Sequence, residues 1–276
     1  ICHLPWYPIT RAETALLRAH RRSILEAAGR RVRIVELGPG NGEKLATLLQ
    51  TGPSPAPRDV HLVDVSATAL EAATARLRRV PGVDVSTHVA RYEAGLHDVA
   101  ARRRDGETLL VCFLGSNIGN FDPPEAEALL RQIRAEMRRG DTLLIGTDLV
   151  KPEAQLQAAY DDPLGVTAAF NCNLLVRLNR ELGADFALDG FAHSARWNAE
   201  AQRMEMHLVS LHDQRVHVPG ADLVIDFEAG ETIWTESSYK YQPLDVAEGL
   251  WQAGFAPVAG WQDDEAKFLL TLAAAK

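Results

Sequence analysis

The stretch Val32-Arg-Ile-Val-Glu-Leu-Gly-Pro-Gly-Asn-Gly-Glu43 decides how this chain is read. A short run of β-branched and aliphatic residues stops at Gly38, Gly40 and Gly42, and a helical pattern from Glu43 to Leu49 follows at once. Strand, glycine turn and helix in that order open a βαβ unit; glycine permits the tight turn and lets a ligand approach the main chain closely. Before this stretch the spacing predicts a helix from Thr10 or Glu13 to about Ala28, with Leu16, Leu17, Ile24 and Leu25 on one side. After it come a proline-rich loop (Pro53, Pro55, Pro57), a strand from Val60 to Val65, a helix from Ala67 to Arg79 and a strand from Val83 to Val89. The unbroken apolar run from Thr108 to Leu114 reads as a buried strand, and Pro123-Pro124-Glu125 opens a helix that continues to about Met137. Thr142 to Leu149 is the fifth strand. Strands alternating with helices at this spacing imply right-handed crossovers and a parallel, doubly wound α/β sheet.

The pattern then breaks. Residues 151–241 combine helical stretches (Glu153 to Tyr160, Ala168 to Leu182) with strand-like alternation from Ala192 to Leu211 and again near Ile233. The elements that should complete the sheet follow only afterwards: a helix from Leu244 to Ala253, then strands at Ala256 to Gly260 and Lys267 to Ala273. The intervening block is read as an insertion of α+β character at the carboxyl edge of the sheet.

Composition excludes several classes. The chain has 276 residues, 46% hydrophobic and 24% charged, with a net charge of -8. That balance argues against nucleic acid as a partner. No apolar run approaches the ~20 residues that span a bilayer, and a membrane association is not expected. Arg102-Arg103-Arg104 and Arg138-Arg139 read as solvated helix ends. Cys2, Cys112 and Cys172 form no close pair, so a reducing, cytoplasmic setting is expected, with neither disulfide nor zinc site. His207, His212 and His217 step by five residues, a spacing that suits neither helix nor strand, so no metal is expected. A start at Ile1 rather than Met is expected of a processed or truncated beginning. The oligomeric state is not legible; a monomer is the working expectation.

The glycine turn admits two cofactor classes. Asp64 closes the second strand 24 residues after Gly40, the spacing of an acid that binds ribose hydroxyls. A dinucleotide fingerprint would need its third glycine at position 43, where Glu43 would repel a pyrophosphate. S-adenosylmethionine has no phosphate and carries a sulfonium cation, so an acidic neighbourhood including Glu36 suits it. A nicotinamide-dependent oxidoreductase stays as the alternative class.

Further segments sharpen the reading. They are Leu4-Pro5-Trp6-Tyr7 with Thr10-Arg11-Ala12-Glu13, Phe113-Leu-Gly-Ser-Asn-Ile-Gly-Asn120, Asp148-Leu-Val-Lys-Pro152 with Tyr160-Asp161-Asp162, Trp197-Asn198 with Glu205-Met206-His207, and Thr235-Glu-Ser-Ser-Tyr-Lys240. Together they resemble the histidine-specific Nα-methyltransferase family of ergothioneine biosynthesis, along essentially the whole chain. The resemblance implies a Rossmann-like class I methyltransferase core (residues 14–150 and 242–276) and an inserted α+β substrate-binding domain (residues 1–13 and 151–241). It implies methylation of the α-amine of L-histidine by S-adenosylmethionine, three times over, to the betaine hercynine. By position, Glu236 and Ser238 would bond the imidazole, Met206 would line its pocket, and Tyr7, Gly115, Asn120 and Tyr160 would hold the carboxylate and amine. Asn120 and Tyr160 stand as the catalytic pair; Gly38, Gly40, Lys44, Asp64 and Tyr92 would serve the cofactor.

The chain departs from the family pattern at Asn117, usually threonine, at Arg91-Tyr92, usually an acidic-aromatic pair, and at Tyr7-Pro8, usually two tyrosines. The family also carries an upstream segment with another substrate-contacting tyrosine, and this chain begins after it. Taken alone, Glu236 reads equally as an exposed strand end, Met206 as core packing, Tyr160 as a helix-end surface residue and Asn120 as a turn residue. The same reaction on another amino acid, such as a tryptophan derivative, and a catalytically silent binding module remain alternatives.

Overall fold

The computed structural model describes residues 1–2, 4–50 and 58–276. These form two compact units, one of Ile9–Leu149 with Tyr241–Lys276 and one of Ile1–Pro8 with Val150–Lys240. The loop carrying Pro53, Pro55 and Pro57 lies outside the described residues.

The first unit runs α1 (Ile9–Ala28), β1 (Val32–Leu37), α2 (Glu43–Leu49), β2 (Arg58–Asp64), α3 (Ala67–Leu77) and β3 (Val83–Val89). It continues through α4 (Tyr92–Ala101), β4 (Thr108–Phe113), α5 (Pro123–Glu136) and β5 (Thr142–Asp148). β5 is buried along its whole length, as a parallel strand covered on both faces must be. Local signals start the helices: the Ser66 hydroxyl accepts the Ala69 N–H at 3.2 Å ahead of α3, and prolines open α5 after Asp122. Ile9 to Glu13 form the first turns of α1 within this unit, whereas the sequence reading placed residues 1–13 with the insertion. α4 is absent from the sequence reading, and Tyr92 is its first residue.

The second unit contains α6 (Glu153–Tyr160), α7 (Val166–Leu182) and the strands β6 (Phe191–Asn198), β7 (Arg203–Ser210), β8 (Gln214–Val218), β9 (Leu223–Phe227) and β10 (Thr232–Tyr239). β10, β7 and β6 make an antiparallel sheet, and β8 pairs with β9 as a separate ribbon. Leu175, Phe186, Phe191, Leu208, Val216 and Phe227 form one small core of this unit. A second gathers Leu156, Tyr160, Met204 and Met206. The Asp162 carboxylate accepts N–H groups of Leu164, Val166 and Thr167, joining the end of α6 to the start of α7.

The chain returns to the first unit with α8 (Pro243–Gln252), β11 (Phe255–Asp263) and β12 (Phe268–Ala275). Its sheet has the order β11-β12-β5-β4-β1-β2-β3. β1 to β5 pair in parallel, and β12 and β11 close the edge antiparallel. Side chains of α1, α2 and α3 pack on one face, around Leu17, Leu45 and Leu70. Those of α4, α5 and α8 pack on the other, around Leu96, Leu129 and Leu250. Among the described residues no helix is long and apolar enough to cross a membrane.

Arg103 departs from the solvated end expected of it. Its side chain is 2% exposed and its guanidinium bonds the equally buried Asp141 carboxylate. Asp141 also accepts the N–H groups of Leu109 at 2.8 Å and Arg138 at 2.7 Å, tying the entries of β4 and β5 together. Removing one partner of a buried pair leaves the other charge uncompensated. Asp141→Ala should therefore destabilise the protein by roughly 3–5 kcal/mol in denaturant titration; an unchanged midpoint would show that Arg103 relaxes into solvent at no cost.

Candidate active site

In open α/β sheets, ligands bind beyond the carboxyl ends of the strands where strand order reverses. Here that point lies between β1 and β4, since β1 is flanked by β2 on one side and β4 on the other. Gly38 leaves β1 with φ +71°, and its N–H donates to the Val63 carbonyl at 2.9 Å. A Cβ at this position would lie 2.8 Å from Tyr92 Oη and 2.9 Å from Asn117 Nδ2. Gly40, with φ +54°, faces open space, so this is where the backbone is bare towards a ligand. Asp64 ends β2; its Oδ1 accepts the Ser66 N–H at 2.8 Å, which orients the carboxylate beside the start of α3. Tyr92 packs edge-on against Phe113 at 5.5 Å. Burial, with the Asp64 charge adding to it, raises its phenol, which stays a protonated donor. A bare glycine turn, an oriented carboxylate and a phenol donor fit an adenosyl group with a ribose diol.

Behind the turn lies a buried charge cluster. The Glu13 carboxylate of α1 is fully buried; it accepts the Gly115 N–H on both oxygens, at 2.9 and 3.0 Å, and meets the Lys44 ammonium at 2.6 Å. Gly115, at φ +84°, leaves room for that ammonium, because a Cβ there would be 2.7 Å from Lys44 Nζ. A Cβ at Gly146 would overlap the Glu13 carboxylate. Lys44, read from sequence as a cofactor residue, is thus engaged by Glu13, for which the sequence reading had no role. Glu36 is buried nearby, and burial pushes its carboxyl up to about 8, with Lys44 opposing and Glu13 adding. Asn120 ends a tight turn, Asn117–Asn120, and is exposed.

The second unit assembles the other expected residues. Glu236, Ser238 and Lys240 stand at alternate positions, so they share a face with Met206, paired with Glu236, and Met204, paired with Ser238. Tyr160 of α6 packs on this face with Met204 and Met206, and Tyr7 meets the Tyr160 ring edge-on at 6.3 Å. Tyr160 Oη donates to Ser238 Oγ at 2.7 Å. The Lys240 ammonium donates to both oxygens, each at 2.7 Å, and also lies 4.7 Å from the Tyr160 ring centroid. His193 Nε2 bonds the Tyr160 carbonyl at 2.9 Å, fixing the end of α6. Glu236 is half-buried rather than an exposed strand end, and burial raises its carboxyl while Lys240 opposes the shift.

Tyr7, Tyr160, Met206, Glu236 and Ser238 therefore come together in one unit. Gly38, Gly40, Lys44, Asp64, Tyr92, Gly115 and Asn120 belong to the other. Lys240 is the functional candidate to which the sequence reading gave no role. Its signal was available: it continues the two-residue alternation of Glu236 and Ser238.

Comparison with known proteins bears on both units. A family model described as histidine-specific methyltransferase, SAM-dependent, matches residues 1–275. The chain is 44% identical over 276 residues to a histidine N-alpha-methyltransferase of Mycobacterium tuberculosis, covering 99% of this chain and 84% of that one. It is 41% identical over 280 residues to the enzyme of the same name from Mycolicibacterium smegmatis, again covering 99% and 84%. In fold it is similar to an S-adenosylmethionine-dependent methyltransferase structure from Clostridium acetobutylicum, with a TM-score of 0.51 at 11% identity, over 95% of this chain and 91% of that one.

Two outcomes test the sheet unit. Asp64→Ala should weaken S-adenosylmethionine binding at least tenfold in calorimetry, the effect of losing about 1.4 kcal/mol, without altering amino-acid binding; unchanged cofactor affinity removes Asp64 from that role. The folded-state carboxyl of Glu36, at about 8, lies above its ordinary 4.5, so the folded chain holds the extra proton between those values. Stability is then lost as pH rises through that window. Glu36→Gln, which mimics the protonated acid, should gain on the wild type from pH 5 to 8 and hold a constant margin above; parallel curves in pH-dependent thermal unfolding would refute the assignment.

Proposed function

The chain belongs to the family of histidine-specific, S-adenosylmethionine-dependent methyltransferases, and from that premise we propose that it methylates the α-amino nitrogen of L-histidine, successively, to the trimethyl betaine hercynine of ergothioneine biosynthesis. The observation that carries the choice of histidine is the polar pair Glu236 and Ser238, set on one strand face opposite Met206 and Met204. A carboxylate accepts an imidazole N–H, and a serine hydroxyl serves the second ring nitrogen. An apolar side chain in that place would strand both groups, at about 1–3 kcal/mol for each.

S-adenosylmethionine, when bound, supplies an electrophilic methyl group next to a positive charge. Gly38 and Gly40 admit it to the backbone, Asp64 takes the ribose hydroxyls, Tyr92 donates from its phenol, and Lys44 with Glu13 holds the turn in shape. The substrate nitrogen must present a lone pair at each transfer and so sheds a proton before each. No strong base is needed where a neighbouring positive charge lowers the amine pKa. The protein's task is chiefly alignment, a contribution of several kcal/mol. We assign Asn120 and Tyr160 to the amine and Tyr7, with the Gly115 turn, to the carboxylate. The sheet unit is then the cofactor domain and the second unit the substrate domain. The three separate thiols suit a cytoplasmic setting.

Mass spectrometry of the protein incubated with S-adenosylmethionine and an equimolar mixture of the twenty amino acids tests the reading. Mono-, di- and trimethylated histidine alone is the expected result. Methylation of tryptophan or another amino acid instead would overturn the pocket assignment. Glu236→Ala should raise the histidine KM tenfold or more and leave the S-adenosylmethionine KM within about twofold, as loss of one charged hydrogen bond implies; equal effects on both would sink the role.

A further inference from the structure

A left-handed backbone suits glycine and disfavours other L-residues. Among the described residues Ser116, Gln202, Asp222 and Lys267 adopt it without being glycine. Ser116 alone of these is buried, at 5% exposed. It follows Gly115, itself at φ +84°, so the chain is left-handed twice in succession soon after β4. Strain of this kind persists only where the surroundings enforce it.

The side chain supplies the enforcement. β4 pairs with β5 as far as Phe113 opposite Ile145 and then leaves the sheet. Asp148 ends β5 beyond that last pair, and its N–H donates to Ser116 Oγ at 2.9 Å in a buried setting. The hydroxyl stands where a strand carbonyl would otherwise be, and φ +57° is the backbone setting that returns it to β5. Glycine would take that φ more readily than serine, so the conformation alone does not account for a serine here; the hydroxyl does. The Ser116 carbonyl accepts the Gly119 N–H at 2.9 Å, which closes the tight turn Asn117–Asn120. That turn borders the glycine crevice: Asn117 Nδ2 lies 2.9 Å from the place of a Gly38 Cβ, and its Oδ1 3.3 Å from that of a Gly115 Cβ.

We infer that Ser116 is a positioning residue for methyl transfer. Its hydroxyl ties the turn that ends on Asn120 to the carboxyl end of β5, and so sets where Asn120 holds the substrate amine. The inference rests on the assignment of Asn120 to that amine. In-line displacement explains why so small an anchor matters. The nitrogen lone pair must meet the methyl carbon opposite the departing sulfur, and a misplacement of about 1 Å can cost roughly a hundredfold in rate.

The experiment is a double-mutant cycle in kcat for histidine methylation, with Ser116→Ala, Asn120→Ala and the double variant. Ser116→Ala removes the acceptor and should lower kcat by about tenfold to a hundredfold, with the S-adenosylmethionine KM within about twofold of wild type. In the Asn120→Ala background the same substitution should change kcat by no more than about twofold, because residues that act as a unit are not additive. An anchor that served stability alone would cost the same factor in either background. Full additivity, or wild-type kcat in Ser116→Ala, overturns the inference and leaves the role of Asn120 standing. Wild-type kcat in Asn120→Ala overturns that role and the inference with it. Should Ser116→Ala not fold, Ser116→Gly takes its place: glycine accepts the left-handed turn without strain, lacks the hydroxyl, and should show the same loss and the same non-additivity. Wild-type kcat in Ser116→Gly would mean that the backbone turn suffices, and overturns the inference.

Discussion

The sheet unit depends on one buried carboxylate. Glu13 joins α1 to the Lys44 ammonium of α2 and to the Gly115 N–H beyond β4, and Gly146 of β5 makes room for it. A charge so deep is tolerated only when paired and hydrogen-bonded on its remaining oxygens. Each of its partners is therefore constrained in turn. Gly115 takes a left-handed turn that admits the ammonium, α2 is anchored directly after the glycine turn, and the loop leading to Asn120 starts from a defined point. The same cluster explains why neighbouring Glu36 carries a raised carboxyl: Lys44 is already engaged by Glu13, so burial outweighs the help that Lys44 provides.

The second unit repeats the logic on a smaller scale. Met204, Met206, Ala195 and Leu156 form an apolar patch, and set into it is a closed triangle of Lys240, Tyr160 and Ser238. In a low-dielectric setting such a network is strong when complete and costly when broken. Its geometry is supported from outside by His193, which bonds the Tyr160 carbonyl and Asn171, and by Asp162, which fixes the chain just beyond Tyr160. The Tyr160 and Ser238 hydroxyls and the Lys240 ammonium are thereby held together on one sheet face.

Much of this was legible in advance where a signal is local. The glycine turn, the apolar runs of β1, β4 and β5 and the proline start of α5 mark the sheet, because a strand buried on both faces must be apolar throughout. α4 escaped notice because Gly95 interrupts its pattern; that glycine is there since a side chain would collide with Val63 of β2. The β8–β9 ribbon was missed because Leu223 and Val224 are exposed apolar residues, which blurs the alternation that marks a half-buried strand. Arg103 reads as a surface residue until Asp141, 38 positions away, is placed beside it.

The sequence by itself determined the fold class and, through its resemblance, the family and the cofactor, since each rests on spacing along one element or on quoted motifs. Only the tertiary structure decided the state of the polar groups. It placed Lys44 on Glu13, gave Glu36 a proton to hold, half-buried Glu236 and set the Lys240 ammonium on the Tyr160 and Ser238 hydroxyls. Those outcomes depend on which charges and lone pairs meet in space and how far water is excluded. Neither quantity has a period along the chain.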